Sequence, residues 1–312
     1  MTLTPDFIEK VTLIQAQAGE IALHPEEHGL DRSVVLKDDH AFDYATAVDN
    51  LAEELFKREL RRILPGSGFL GEESEVSDIA NRYFWIVDPI DGTAVYSIGG
   101  EYYSSSVALV DRQGNDGRAA VIFGSVMQPA RGRQFIRTPS QLAVRENYET
   151  LRAASAINLR KPRPSNSRGF GEYLGCAFAP RVNRAKHSGV FDTLEKVFTY
   201  EEAPELRRSY SAKNARPASG SSALFCCDIA DGNRHFAVIF FQKAWDLAVG
   251  TLYAKQAGCP VVVFDNHMNP VDVNLEHAIA NCTKEPLINV GVFANKHVQS
   301  YIMKKLGVHY AT

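Results

Sequence analysis

Apolar residues recur at spacings of three and four near the start of the chain. Phe7, Val11, Ile14, Ala18 and Ile21 predict an amphipathic helix over 6–23. A second such set, Val48, Leu51, Leu55, Phe56 and Ile63, predicts a helix from Ala45 to Leu64, stopped by Pro65-Gly66. The texture then shortens to strand-like runs at Phe84–Val87, Ser106–Val110, Ala119–Val126 and Gln134–Arg137. Turns such as Gln113-Gly114-Asn115-Asp116-Gly117 separate them. Helices followed by hairpin-connected strands predict helices packed on a largely antiparallel sheet. Farther on, Asp246 to Gln256 reads as helix with Gly258 ending it, Val261–Phe264 as a buried strand, and Gly291–Ala294 as the entry to a last helix through Lys305. The stretch 150–185, rich in Arg, Pro, Ser, Asn and Gly, is read as a boundary. It divides an α+β domain over 1–150 from an α/β domain over 151–312 that supplies Asp246 and substrate contacts.

Composition narrows the class. A chain of 312 residues that is 45% hydrophobic, 23% charged and 10% aromatic can bury an ordinary core. With 34 Lys plus Arg against 37 Asp plus Glu, the net charge of −3 gives no broad nucleic-acid or membrane footprint. Five cysteines without CxxC spacing argue for reduced thiols rather than zinc or a disulfide framework. Cys226-Cys227 lies in an apolar run and reads as core. The N-terminus lacks the pattern of a signal peptide, and no run approaches a membrane span. The expectation is a cytoplasmic protein.

Chemistry concentrates in three segments that place carboxylates beside glycines and apolar strands: Gly71-Glu72-Glu73, Asp88-Pro89-Ile90-Asp91-Gly92-Thr93 and Trp245-Asp246. In the second, a buried strand runs straight into Asp88, and Asp91 returns three residues later as on one turn of helix. Carboxylates held this close raise the cost of ionising one another. A hard divalent cation removes that cost, and oxygen-only ligands favour magnesium or manganese. Gly92 and Thr93 N–H groups at a helix start suit a phosphate oxygen. Each segment alone also has a plain reading: Asp-Pro and Asp-Gly as turn formers, paired glutamates as a solvated face, Asp246 as a helix cap.

Together, Asp49, Glu72-Glu73, the Asp88–Thr93 run, Trp245-Asp246 and Gly250 resemble the inositol monophosphatase family of magnesium-dependent, often lithium-sensitive phosphatases. Asp43–Asp49 is similar to that family's DxVTxxD segment, with Ala45 in place of Val. Gly220-Ser221-Ser222 with Ala230-Asp231-Gly232 is similar to its GS-containing region. The resemblance implies an α/β (α+β) fold, a layered αβαβα sandwich of the inositol monophosphatase/fructose bisphosphatase type. It implies hydrolysis of a small polar phosphate ester with two or three Mg2+ ions, with Mn2+ as a substitute and Li+ as an inhibitor. One metal would be held by Glu72, Asp88 and the Ile90 carbonyl, and a second by Asp88, Asp91 and Asp246, with Glu72 also serving a weaker third. Gly92 and Thr93, with Asp91, Gly220, Ser221, Ser222 and Asp246, would line the phosphate and substrate subsite. Thr93, oriented by Asp49, and Glu72 would position and deprotonate the attacking water. A homodimer is implied as well.

Two positions depart from the pattern. Ile239 stands six places before Trp245, where inositol-selective members carry an acidic residue, and Val249 stands where alanine is usual. Gly100-Glu101-Tyr102 and Gly220–Cys226 are slightly closer to the 3′(2′),5′-bisphosphate nucleotidase branch, so that activity is the alternative, ahead of sugar bisphosphatase and histidinol-phosphatase. Arg163, Arg168, Arg181, Arg184 and Lys186 form either a second-phosphate pocket or a solvated basic loop. His187 and His235 lie outside any motif. A non-catalytic phosphate- or metal-binding regulator on the same fold is the contrasting class.

Overall fold

The computed structural model describes residues 2–36, 44–114, 117–146, 159–164, 175–178, 220–283 and 288–308. Arg168, Arg181, Arg184, Lys186, His187 and most of the 150–185 stretch lie outside these residues.

Helix α1 (Pro5–Leu23) starts at Thr4, whose hydroxyl accepts the Phe7 N–H, with Pro5 at the first helical position. Helix α2 (Ala47–Ile63) starts two residues later than the apolar pattern predicts. Thr46 is extended, and Tyr44–Thr46 (β2) pairs with Val34–Leu36 (β1). The reason is a capping box: Asp49 Oδ2 accepts from Thr46 N–H and Oγ1, and Asp49 N–H donates back to Thr46 Oγ1.

The first sheet has the order β3 (Gly68–Gly71), β4 (Tyr83–Asp91), β5 (Ser104–Asp111), β6 (Ala120–Gln128), β7 (Arg133–Thr138), β8 (Gln141–Arg145), β9 (Leu159–Arg160). Only β3–β4 is parallel. Alternation along β4 sends Trp85 and Val87 to one face, where α1 and α2 cover them, and Phe84 and Ile86 to the other. Both faces are buried, which is why these strands read as continuous apolar runs.

On the second face lie α4 (Ser222–Ala230), α5 (Ala244–Leu247) and α6 (Gly250–Gln256), after the short α3 (Thr93–Ser97). Helices α4 and α6 pack on each other between the two sheets. The second sheet runs β10 (Gly175–Phe178), β11 (Phe236–Gln242), β14 (Ile288–Phe293), β12 (Val261–Phe264), β13 (Pro270–Val271). Helix α7 (Leu275–Ala280) lies against β6, and α8 (Lys296–Lys305) covers β14. The layers are helix, sheet, helix, sheet, helix. The helix expected over Asp246–Gln256 forms as two pieces that meet at Ala248–Val249, where Val249 packs on Gly124 and Gly250 on the α4 backbone at Ala223.

One ion pair ties the first sheet to α7. Arg137, 7% exposed, donates to Val121 O at 2.6 Å and to Glu276 Oε1 at 3.3 Å. Glu276→Ala is expected to lower stability by about 1–2 kcal/mol, since it leaves a buried guanidinium less satisfied. Urea unfolding checks this.

Candidate metal and phosphate site

Strand β4 carries Asp88 toward its own C-terminal end, where it is fully buried and opposite Ser106. The expected helical turn from Asp88 to Asp91 is not what forms. The strand continues through a register shift, with Asp91 opposite Ser104, because Pro89 fixes its φ and has no N–H for the ladder. Helix α3 begins only at Thr93, with Gly92 as its cap at φ +94. A Cβ on Gly92 would lie 2.9 Å from Ser221 N.

Glu72 follows β3, the parallel neighbour of β4, so its side chain arrives beside Asp88. Asp246 comes from α5, and its Oδ2 accepts the Lys243 N–H at 2.8 Å. One carboxylate oxygen from each of Glu72, Asp88 and Asp246 lies within 4.8 Å of the other two. Three hard, anionic oxygens at this spacing, at 8%, 0% and 1% exposure, fit a divalent cation of the magnesium or manganese type.

Asp91 stands apart from that triplet. Its Oδ2 accepts Ser221 Oγ at 2.6 Å and Ala223 N–H at 2.7 Å, and its Oδ1 accepts Ser222 N–H at 3.1 Å. The carboxylate therefore sits on the N-terminus of α4, where orphan N–H groups favour negative charge. Burial, and secondly the Asp246 charge, nevertheless push its pKa up to about 7. That mutual opposition is what a cation nearby would relieve.

Thr93 Oγ1 lies 2.9 Å from Ile90 O and 3.4 Å from Asp49 Oδ1. Asp49, fixed by the capping box, thus reaches the site from α2. Gly220 takes φ +80, and its Cα packs so closely on Tyr102 that a Cβ would lie 2.5 Å from Tyr102 O. Ser221 caps α4 through Leu224 N–H and shares a 2.7 Å contact with Ser104 Oγ. Ser222 Oγ donates to Gln242 Oε1 at 2.7 Å.

Sequence reading missed Glu53. It is 2% exposed on α2, and its two oxygens accept Glu73 N–H and Ser74 N–H at 2.8 and 2.7 Å. Gly71 makes room for it, since a Cβ there would lie 2.4 Å from Glu53 Cδ. The available clue was the i, i+4 pairing of Asp49 with Glu53 on one helix face. Glu53→Gln is expected to cost about 1–3 kcal/mol in urea unfolding and to weaken Mn2+ binding by the full chain.

Ile239 is fully buried in β11 opposite Val290, and the apolar run around it is core. Val249 is accommodated by Gly124 on β6, where a Cβ would meet Val249 Cγ1 at 2.9 Å. Cys226 and Cys227 are buried in α4. Arg163 is exposed, and His235 is half-buried with its carbonyl accepting Ala294 N–H.

A family model described as the inositol monophosphatase family matches residues 6–298. The Nus factor SuhB of Xylella fastidiosa is 32% identical over 222 residues, 69% of this chain and 67% of that relative. An inositol-1-monophosphatase of Mesorhizobium japonicum is 28% identical over 254 residues, 78% of this chain and 84% of that relative. The structure of an IMPase from Thermotoga maritima matches with a TM-score of 0.65 at 20% identity, covering 97% of both chains, a likeness of fold. Among the described residues no helix is long and apolar enough to cross a membrane. The layered fold and a match running almost end to end lead to one assignment: this chain belongs to the inositol monophosphatase family.

Proposed function

We propose that this chain is a magnesium-dependent phosphomonoesterase acting on a small polar phosphate of the inositol monophosphate type. The observation that carries this reading is the meeting of Glu72, Asp88 and Asp246 oxygens within 4.8 Å. Glu72, Asp88 and the Ile90 carbonyl would hold one cation, and Asp88, Asp91 and Asp246 a second. Divalent cations bound there supply charge neutralisation for the phosphoryl oxygens and acidify water.

The chain's own groups do the rest. The α3 start, through Gly92 and Thr93 N–H, and the first turn of α4, through Ser221 and Ser222, bracket the place for the phosphate. Thr93 Oγ1, donating to Ile90 O or Asp49, keeps a lone pair for a water hydrogen. Glu72 takes that water's proton as its oxygen attacks phosphorus in line. The ester P–O bond breaks, and the departing alkoxide is protonated by solvent.

The test is phosphate release, with and without magnesium, from inositol 1-phosphate, adenosine 3′,5′-bisphosphate, fructose 1,6-bisphosphate and histidinol phosphate. Magnesium-dependent turnover, greatest on inositol 1-phosphate and inhibited by lithium, is expected. A preference for the adenosine bisphosphate would move the chain to the nucleotidase branch. Release from none of them would favour the binding or regulatory reading, to which the 32% identity with a protein named as a Nus factor lends weight.

A further inference from the structure

We infer that Asn289 is a positioning residue for the metal site, acting through the backbone of a strained bulge in β11. The inference rests on the metal-site reading above.

The starting observation is Phe241. Its φ of +58 lies in the left-handed region, where the Cβ of an L-residue crowds the neighbouring carbonyl. For a bulky side chain this is a true outlier. Such outliers persist only where their surroundings over-determine them, and they concentrate at functional sites.

Pairing shows what the outlier does. Ile239 stands opposite Val290, yet Gln242 stands opposite Ile288, so β11 carries one residue more than its partner between these pairs. In a regular strand a one-residue change of register exchanges the faces of every following side chain. The bulge is therefore what sets the direction of Gln242 and of the turn beyond it. Gln242 accepts the Ser222 hydroxyl at 2.7 Å, next to the N–H that grips Asp91, and its Nε2 returns to Phe240 O at 3.1 Å. Lys243 N–H donates to Asp246 Oδ2. The extra residue thus lies just upstream of a carboxylate of the triplet, and its successor touches the segment holding Asp91.

Asn289 fixes the bulge. It is 2% exposed on β14 and accepts the Phe241 N–H at 2.7 Å through Oδ1. Its Nδ2 donates to Phe264 O at 3.3 Å and to Asn266 Oδ1 at 2.9 Å, so both ends of the amide are used. The side chain is held from β12 and the loop after it, and in turn holds the β11 backbone. A hydrophobic residue of similar size would fill the space without meeting the Phe241 N–H.

The experiment is a Mn2+ titration of the full chain, followed by the electron paramagnetic resonance of free Mn2+, with thermal melting of each variant in parallel. Wild type is expected to bind Mn2+, and Asn289→Ala to bind it about tenfold more weakly, the lower end of what outer supports of metal sites carry. Asn289→Asp keeps the acceptor for Phe241 but gives up both Nδ2 bonds and sets a carboxylate against Phe264 O and Asn266 Oδ1. It is expected to melt lower than wild type and to bind Mn2+ more tightly than Asn289→Ala. Val292→Ala is a buried truncation on the same strand, away from the bulge. It is expected to lower the melting temperature without moving Mn2+ affinity. Wild-type affinity in Asn289→Ala, or an equal loss in Val292→Ala, overturns the inference. Where the alanine variant does not fold, wild-type Mn2+ affinity in Asn289→Leu, which fills the space without accepting the Phe241 N–H, overturns it. A wild type that binds no Mn2+ removes the metal-site reading and this inference with it, whereas binding without phosphate release removes only the proposed activity.

Discussion

Asp88→Asn is expected to lower magnesium-dependent phosphate release by more than about a hundredfold, because both proposed cation positions draw on this one carboxylate. The substitution keeps volume and shape, so the fold should survive. Asp88 is fully buried with Glu72 and Asp246 oxygens close by. Removing one negative charge from three relieves repulsion in the metal-free chain. Melting without metal should therefore be unchanged or higher in the variant. Added magnesium should raise the melting temperature of wild type, as any ligand of the native state does, and leave the variant where it was. Near-normal turnover in Asp88→Asn would defeat the assignment.

The second large effect is one of packing. Gly250→Ala would set a Cβ 2.4 Å from Ala223 O and 2.8 Å from Ala223 Cα. Both obstacles are backbone of α4, so no side chain can swing aside. The helices must separate, at a cost of about 3 kcal/mol. The first turn of α4 is also what grips Asp91. The loss should therefore appear twice, as a lower urea midpoint and as weaker metal activation. Gly66→Ala is the comparison, because Gly66 has φ +78 but nothing within 4 Å of the added carbon. There only the left-handed backbone is penalised, by about 1 kcal/mol, and metal activation should not change. Equal losses in the two variants would mean that the α4–α6 contact is looser than described.

Much of this molecule could be read from residue order, for identifiable reasons. The helices α1 and α2 announce themselves by periodicity because each presents one face to the first sheet. The Asp88–Thr93 run stands out because carboxylates seldom follow a buried strand without a task. What escaped was set by contacts between distant segments. Nothing in the sequence around Phe241 marks a left-handed residue, since the condition for it is Asn289 on another strand. Glu53 looked like an ordinary helix residue because its partners are backbone N–H groups, which leave no residue-specific trace. The path from Asp88 to Asp91 is ambiguous in sequence because a three-residue spacing fits both a helical turn and a bulged strand end, and the strand end is what forms.

The grip of Asp91 on Ser221, Ser222 and Ala223 joins residues about 130 positions apart, and Asp88 meets Asp246 across about 160. Closing loops of that length costs about 2 kcal/mol more chain entropy than closing a hairpin of about ten residues, before the contact returns any stabilisation. Sheet hairpins such as β5–β6 and β6–β7 need far less closure. In refolding, the gathering of these carboxylates is expected to trail hairpins such as β5–β6, and Mn2+ uptake followed by stopped flow beside far-ultraviolet circular dichroism checks the order. Metal uptake lagging the far-ultraviolet signal would make the site a reporter of late folding, and simultaneous signals would count against that order.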